Sequence, residues 1–142
     1  MLKYNLAQID LISKKILPNL SKSDFLFLIG ELGSGKTTFA RNLINHLQKR
    51  NKVGRTEVPS PTFNLLYEYE LKSSKIMHYD LYRIKTVEEV EQLGILEGTP
   101  NVLSIIEWPE KLKKKIKNRL EITFYHGLKP EIRKIKFKGF GK

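Results

Sequence analysis

The spacing of apolar positions along the chain changes several times, and each change predicts an element. Leu6, Ile9, Ile12, Ile16 and Leu17 recur at helical intervals before Pro18, which predicts a surface helix over about residues 6–17. After a polar stretch, Phe25, Leu26, Phe27, Leu28 and Ile29 form an unbroken apolar run closed by Gly30. A strand covered on both faces has this pattern, so the run is the best candidate for the centre of a parallel sheet. From Lys36 the period lengthens: Phe39, Ala40, Leu43, Ile44 and Leu47 share one face while Arg41, Asn45, Gln48 and Lys49 fall elsewhere, predicting a helix that ends near Arg50.

Residues 51–61 form a polar connection in which Pro59 and Pro61 favour extended backbone. Residues 63–71 alternate loosely, Ser73 and Ser74 can turn the chain, and residues 76–80 read as a return strand. Thr86 followed by Glu89 has the spacing of a capping box and opens a short helix over residues 86–93. Residues 102–106 are a second strand of the buried type, running into Glu107, Trp108 and Pro109, and residues 119–125 and 132–137 predict a last strand pair around Gly127 and Pro130. There is no internal repeat and no linker long enough to divide the chain, so residues 1–142 are expected to be one domain.

Composition narrows the chemistry. With 40% apolar and 10% aromatic residues the chain can bury an ordinary core, and with no cysteine it excludes disulfides, thiol nucleophiles, iron–sulfur clusters and Cys-ligated zinc. No apolar run approaches the roughly 18–20 residues of a membrane-spanning helix, and the first ten residues lack the layout of a signal peptide. A cytoplasmic protein with no membrane association is the expectation. The formal charge of +11 is unevenly placed: residues 1–110 carry 14 basic and 13 acidic side chains, whereas residues 111–142 carry 12 and 2. That concentration favours an anionic partner such as nucleic acid docking on residues 111–117 and 129–142; the alternative is a solvated lysine-rich surface.

The sharpest chemical signal lies between the most buried-looking strand and the most regular helix. Gly30-Glu31-Leu32-Gly33-Ser34-Gly35-Lys36-Thr37-Thr38 fits the phosphate-loop pattern of Gly, four residues, then Gly-Lys-Thr. Its glycines let successive amides turn around phosphate oxygens, and the helix beginning near Lys36 directs its positive end at the same anion. Lys36 would reach the β and γ phosphates, and the Thr37 hydroxyl would ligate Mg²⁺. Gly33, Ser34, Gly35, Lys36, Thr37 and Thr38 are the expected nucleotide-binding residues, within an α/β fold built as a P-loop NTPase-like sheet with flanking helices, mixed strands and a C-terminal strand pair.

Hydrolysis needs an acid as well. Asp80 and Glu107 both sit at strand ends, where ligands bind in open parallel sheets, and spacing alone does not rank them; an ordinary loop-capping acid is the alternative for each. Thr62, in the connection after the first helix of the phosphate loop, could complete the magnesium shell, sense the γ phosphate, or be a plain turn hydroxyl. His78 reads as a packed strand residue, Tyr82 and Trp108 as core or rim aromatics, and Arg83 as a phosphate contact or a salt bridge. No Asn-Lys-x-Asp guanine reader follows a late strand, which favours ATP over GTP.

Taken together, Gly30 to Thr38, then Ser60-Pro61-Thr62-Phe63, then His78-Tyr79-Asp80-Leu81-Tyr82-Arg83, then Ile106-Glu107-Trp108-Pro109 resemble the ordered motifs of the TsaE family, small bacterial ATPases of tRNA threonylcarbamoyladenosine biosynthesis. The resemblance spans about residues 6–137. It implies a compact P-loop fold, slow Mg²⁺-dependent ATP hydrolysis and TsaB and TsaD proteins as partners in modifying adenosine 37 of tRNA. It also implies Thr62 as the switch threonine, Asp80 as the Walker-B-like acid, Glu107 as a magnesium-shell acid and Arg133 as a nucleotide contact. Lys36, Thr62, Asp80 and Glu107 are then the catalytic set, and Thr37, Glu107 and Asp80 the metal set. A small P-loop kinase acting on a metabolite is the competing enzyme, although 142 residues leave little room for an acceptor site and a lid. A nucleotide-gated binding module without hydrolysis is a third reading.

Overall fold

A computed structural model describes residues 2–20, 25–54, 65–95, 101–112, 114–116, 118–127 and 132–139. The elements in chain order are β1 (Leu2–Asn5), α1 (Ile9–Ile16), β2 (Phe25–Ile29), α2 (Lys36–Arg50), β3 (Leu66–Glu70) and β4 (Lys75–Asp80). They are followed by α3 (Val87–Gln92), β5 (Val102–Glu107), β6 (Leu120–His126) and β7 (Ile132–Lys138). The seven strands form one sheet in the order β1-β7-β6-β2-β5-β4-β3. Its middle, β6-β2-β5-β4, is parallel, while β1, β7 and β3 join antiparallel. The fold is therefore α/β with mixed strands, as the pattern predicts.

The unbroken apolar run of β2 has the expected cause. It pairs on both sides, and its residues alternate between two cores: Leu26 and Leu28 face the layer of α1 and α2, while Phe27 faces the opposite layer with Ile106, Val90 and Leu112. All three β2 side chains are fully buried; burial on this scale stabilises the fold by about 1.5–3 kcal/mol per large apolar side chain. Helix α2 contributes Phe39, Ala40, Leu43 and Ile44 to the first core, so the helix that follows the phosphate loop is locked to the sheet over most of its length. Helix α1 packs on α2 and is pinned by Asp10, whose carboxylate accepts from Asn42 Nδ2 at 2.6 Å and lies 3.1 Å from His46 Nε2. These bonds, the Asn42 one first, hold the Asp10 carboxyl below its ordinary range. Thr86 caps α3 as expected, its hydroxyl accepting from the Glu89 amide at 3.2 Å.

Two features go beyond the sequence pattern. Residues 2–5, which the pattern assigns to no element, form β1 against β7, with Leu2 opposite Ile135 and Tyr4 opposite Arg133. A four-residue strand shows too little alternation to be recognised by period. Its one local signal is Asn5 with Gln8, whose side chains bond each other's backbone N–H at 3.0 and 3.1 Å, a reciprocal cap that starts the helix. Second, the predicted last strand pair is present as β6 and β7, and β7 does not end the sheet but lies between β6 and β1. No described helix is long and apolar enough to cross a membrane.

Candidate functional site

The loop from Gly30 to Gly35 leaves the carboxyl end of β2 and turns directly into α2. Gly35 has φ 105° and Gly33 φ 75°, left-handed backbone that favours glycine. Gly30 is required for space: a Cβ there would lie 2.7 Å from Ser34 Oγ and 2.8 Å from the Phe124 carbonyl oxygen. Gly30→Ala should therefore destabilise the protein by about 1–3 kcal/mol, the cost of overpacking a tight site, read from the midpoint of urea unfolding. An unchanged midpoint would show that the loop relaxes freely. The Ser34 amide donates to the Glu31 carbonyl at 3.2 Å, drawing the loop into a closed turn. By helical geometry the first amides of α2 have no intrahelical acceptor and point toward this loop.

Lys36, on the first turn of α2, is buried. Its ammonium donates to the Gly30 carbonyl and lies 3.5 Å from that of Glu31, with the Trp108 ring centroid 3.6 Å away. Burial pushes its pKa below the ordinary value, opposed by the charges of Glu107, Asp80 and Glu110. Trp108 reaches this position through left-handed backbone at φ 59°, an arrangement uncommon for a bulky residue. The Tyr82 ring packs on it with centroids 4.7 Å apart, so the two aromatics read as core or rim residues form one wall beside the lysine.

The two acids that spacing could not rank are separated by their contacts. Asp80 and Glu107 stand side by side at the carboxyl ends of β4 and β5, and both are buried. Glu107 Oε1 accepts from the Thr37 hydroxyl at 2.8 Å, joining β5 to the first turn of α2. Its second oxygen lies 2.7 Å from His78 Nε2. Because a carboxylate only accepts, Nε2 carries the proton of this bond. Asp80 instead accepts from the Tyr82 amide at 2.9 Å and shapes the turn after β4. The Thr37 contact therefore belongs to Glu107.

His78 is the functional candidate that sequence reasoning passed over as a packed strand residue. It is fully buried, and among the described residues Nδ1 has no hydrogen-bond partner, so its placement serves the Glu107 contact. Its sequence signals are its place at the head of the motif from His78 to Arg83 and the alternation of β4, which buries Ile76, His78 and Asp80 on one face. Gly33, Ser34, Gly35, Lys36 and Thr37 are brought together at the loop, and Thr38 is exposed on the first turn of α2. Arg133 lies at the same end of the sheet, opposite His126 of β6, whose ring lies 4.0 Å from Glu31 Oε2. Thr62 lies outside the described residues.

Comparison with known proteins places this arrangement in a context. The sequence profile of the family described as threonylcarbamoyl adenosine biosynthesis protein TsaE matches residues 4–135. The chain is similar to the tRNA threonylcarbamoyladenosine biosynthesis protein TsaE of Rickettsia typhi, with 44% identity over 101 residues covering 71% of this chain and 67% of the relative. It is also similar to the protein of that name from Borreliella burgdorferi, with 38% identity over 108 residues covering 69% and 74%. The Rickettsia felis relative is longer: 42% identity extends over 72% of this chain but 57% of that one. Among solved structures, Bacillus subtilis YdiB superimposes with a TM-score of 0.66 over 96% of this chain and 83% of that chain, at 23% identity, a likeness of fold.

Proposed function

The chain belongs to the TsaE family, and from that premise we propose that it binds ATP with Mg²⁺ and hydrolyses it slowly, in support of TsaB and TsaD proteins during tRNA threonylcarbamoyladenosine biosynthesis in the cytoplasm. The observation that carries the reading is the 2.8 Å bond from the Thr37 hydroxyl to Glu107 at the mouth of a glycine loop. It puts two hard oxygen ligands together beside a buried lysine, and Mg²⁺ characteristically takes one or two protein oxygens while phosphates and waters complete its shell.

The residues present fit both groups. Ser34 Oγ is buried with no partner among the described residues, a donor left over inside the loop, and the first amides of α2 supply further donors for phosphate oxygens. Lys36 neutralises charge on the β and γ phosphates, and Thr37 and Glu107 hold the metal, with His78 fixing the rotamer of Glu107. When bound, Mg²⁺ would supply charge stabilisation of the transferring phosphoryl group. Asp80 is the second acid, adjacent to Glu107 and positioned to orient the outer part of the shell or the attacking water. Thr62 and Arg133 take the roles that the family resemblance implies, switch hydroxyl and nucleotide contact.

Single-turnover measurements test this reading. With ATP, Mg²⁺ and cognate TsaB and TsaD homologues, inorganic phosphate should be released to water in proportion to ATP bound, and chelating Mg²⁺ should stop it. Binding of ATP without any phosphate release would leave a nucleotide-gated binding module and overturn the ATPase assignment. Transfer to an added metabolite instead of water would make the protein a kinase.

A further inference from the structure

The lysines that give the C-terminal part of the chain its charge are sorted by the sheet. In β7, Ile135 and Phe137 face the core beneath α1 and α2, so Lys134, Lys136 and Lys138 project from the opposite face. Lys3 of β1 stands directly opposite Lys134 on that face, and Tyr125 of β6 stands opposite it on the other side. Among the described residues, the second core covers β2, β5 and β4 on this side with Val90, Leu112 and Ile116, and none of its members comes from β1, β7 or β6, which leaves that part of the sheet open. Lys3, Lys136 and Lys138 are exposed and Tyr125 is 40% exposed.

We propose that this open three-strand face binds RNA, with Lys3, Lys134, Lys136 and Lys138 contacting phosphates and Tyr125 stacking on a base. Like charges directly opposite in a sheet are unfavourable, so the Lys3–Lys134 pair works against the fold and is offset by a bound polyanion. Among the described residues, the acid on this face is Glu121, opposite Lys138, and it is already bonded to Arg119 Nε at 2.6 Å. Among the described residues, the charge of the face is therefore uncompensated.

RNA is favoured over an acidic protein for two reasons. Alternate residues of a strand lie about 7 Å apart, which sets Lys134, Lys136 and Lys138 in a straight row that can follow successive phosphates of one strand. The exposed aromatic set beside that row is the complement of an unstacked base, the combination by which sheet faces hold single-stranded nucleic acid. An acidic protein surface gives Tyr125 no comparable partner. This face differs from a basic tail in one respect that charge counting missed: Lys3, from the other end of the sequence, belongs to it.

Fluorescence anisotropy with a labelled unmodified tRNA transcript and labelled oligouridylate, without ATP or Mg²⁺, keeps the test separate from the nucleotide site. The variant combining Lys134→Gln, Lys136→Gln and Lys138→Gln should lose at least about tenfold in affinity at low salt. The slope of log K against log salt should become shallower by about 2, three lost phosphate contacts at about 0.7 each. Tyr125→Ala should weaken oligouridylate binding about fivefold or more with the slope unchanged. The combined Lys134→Arg, Lys136→Arg and Lys138→Arg variant should bind like the parent. Failure of the parent to bind either RNA, or an unchanged affinity and slope in the glutamine variant, overturns the proposal. Binding of polyglutamate as tight as RNA, with Tyr125→Ala without effect, also overturns it and makes the occupant an acidic protein. An unaltered melting temperature and ATP affinity in the glutamine variant assign its loss to this face.

Discussion

Replacing Lys36 with Met should abolish productive nucleotide binding, lowering ATP turnover at least about 10²- to 10³-fold, and yet leave the melting temperature unchanged or raised. The first effect follows from removing the one buried ammonium on the phosphate loop. The second follows from the cost of keeping that ammonium charged. Burial lowers the Lys36 pKa from its ordinary 10.5, so between the folded value and 10.5 the unfolded chain binds more protons than the folded one and stability rises with pH. Below the folded value the penalty is present in full. The Met variant carries none, so its advantage in melting temperature should be largest near neutral pH and shrink as pH rises toward 10.5. Unaltered turnover would remove Lys36 from the site. A fall of many degrees in melting temperature would instead make its contacts with the Gly30 and Glu31 carbonyls structural.

The second large effect is expected at Glu107. Glu107→Gln keeps an acceptor for Thr37 and a shape that fits β5 but removes the charge, so turnover should fall about 10²-fold or more. ATP affinity, measured by calorimetry with and without Mg²⁺, should become nearly the same in the two conditions. His78→Leu leaves Glu107 in place but frees its second oxygen, and loss of such an orienting partner typically weakens metal binding about 10- to 100-fold. The Mg²⁺ concentration needed for half-maximal ATP binding should rise by that factor, and His78→Gln, which restores an N–H near the same place, should recover part of it. Wild-type Mg²⁺ dependence in His78→Leu would show that the 2.7 Å contact is incidental packing.

What the sequence made legible follows the range of each signal. Phe25–Ile29 and Val102–Glu107 are recognisable as central strands because being covered on both faces leaves no room for alternation, and Lys36–Arg50 because a 15-residue helix against a sheet repeats its apolar face several times. The phosphate loop is readable because its geometry is local. The ranking of Asp80 and Glu107 is not local: it depends on the register that sets Leu28 beside Glu107 and brings that strand end under Thr37. His78 and Glu107 lie in separate motifs 29 residues apart and meet because β4 and β5 pair in parallel. Lys3 and Lys134 are farther still, and neither strand is long enough to announce its partner.

That distance also shapes how the protein is made. Among the described strands β1 has β7 as its neighbour, so its residues are synthesised well before the strand they pair with. Helix α1 follows directly from β1 and rests on α2, so it can dock while β1 still waits. During that interval Leu2–Asn5 is an unpaired strand beside a half-built sheet, and non-local pairing of this kind is slow. Its short length and the polar Lys3 and Asn5 limit the chance of pairing with another chain, the protection that edge strands generally require. The lysine face comes into being only when β7 closes between β6 and β1.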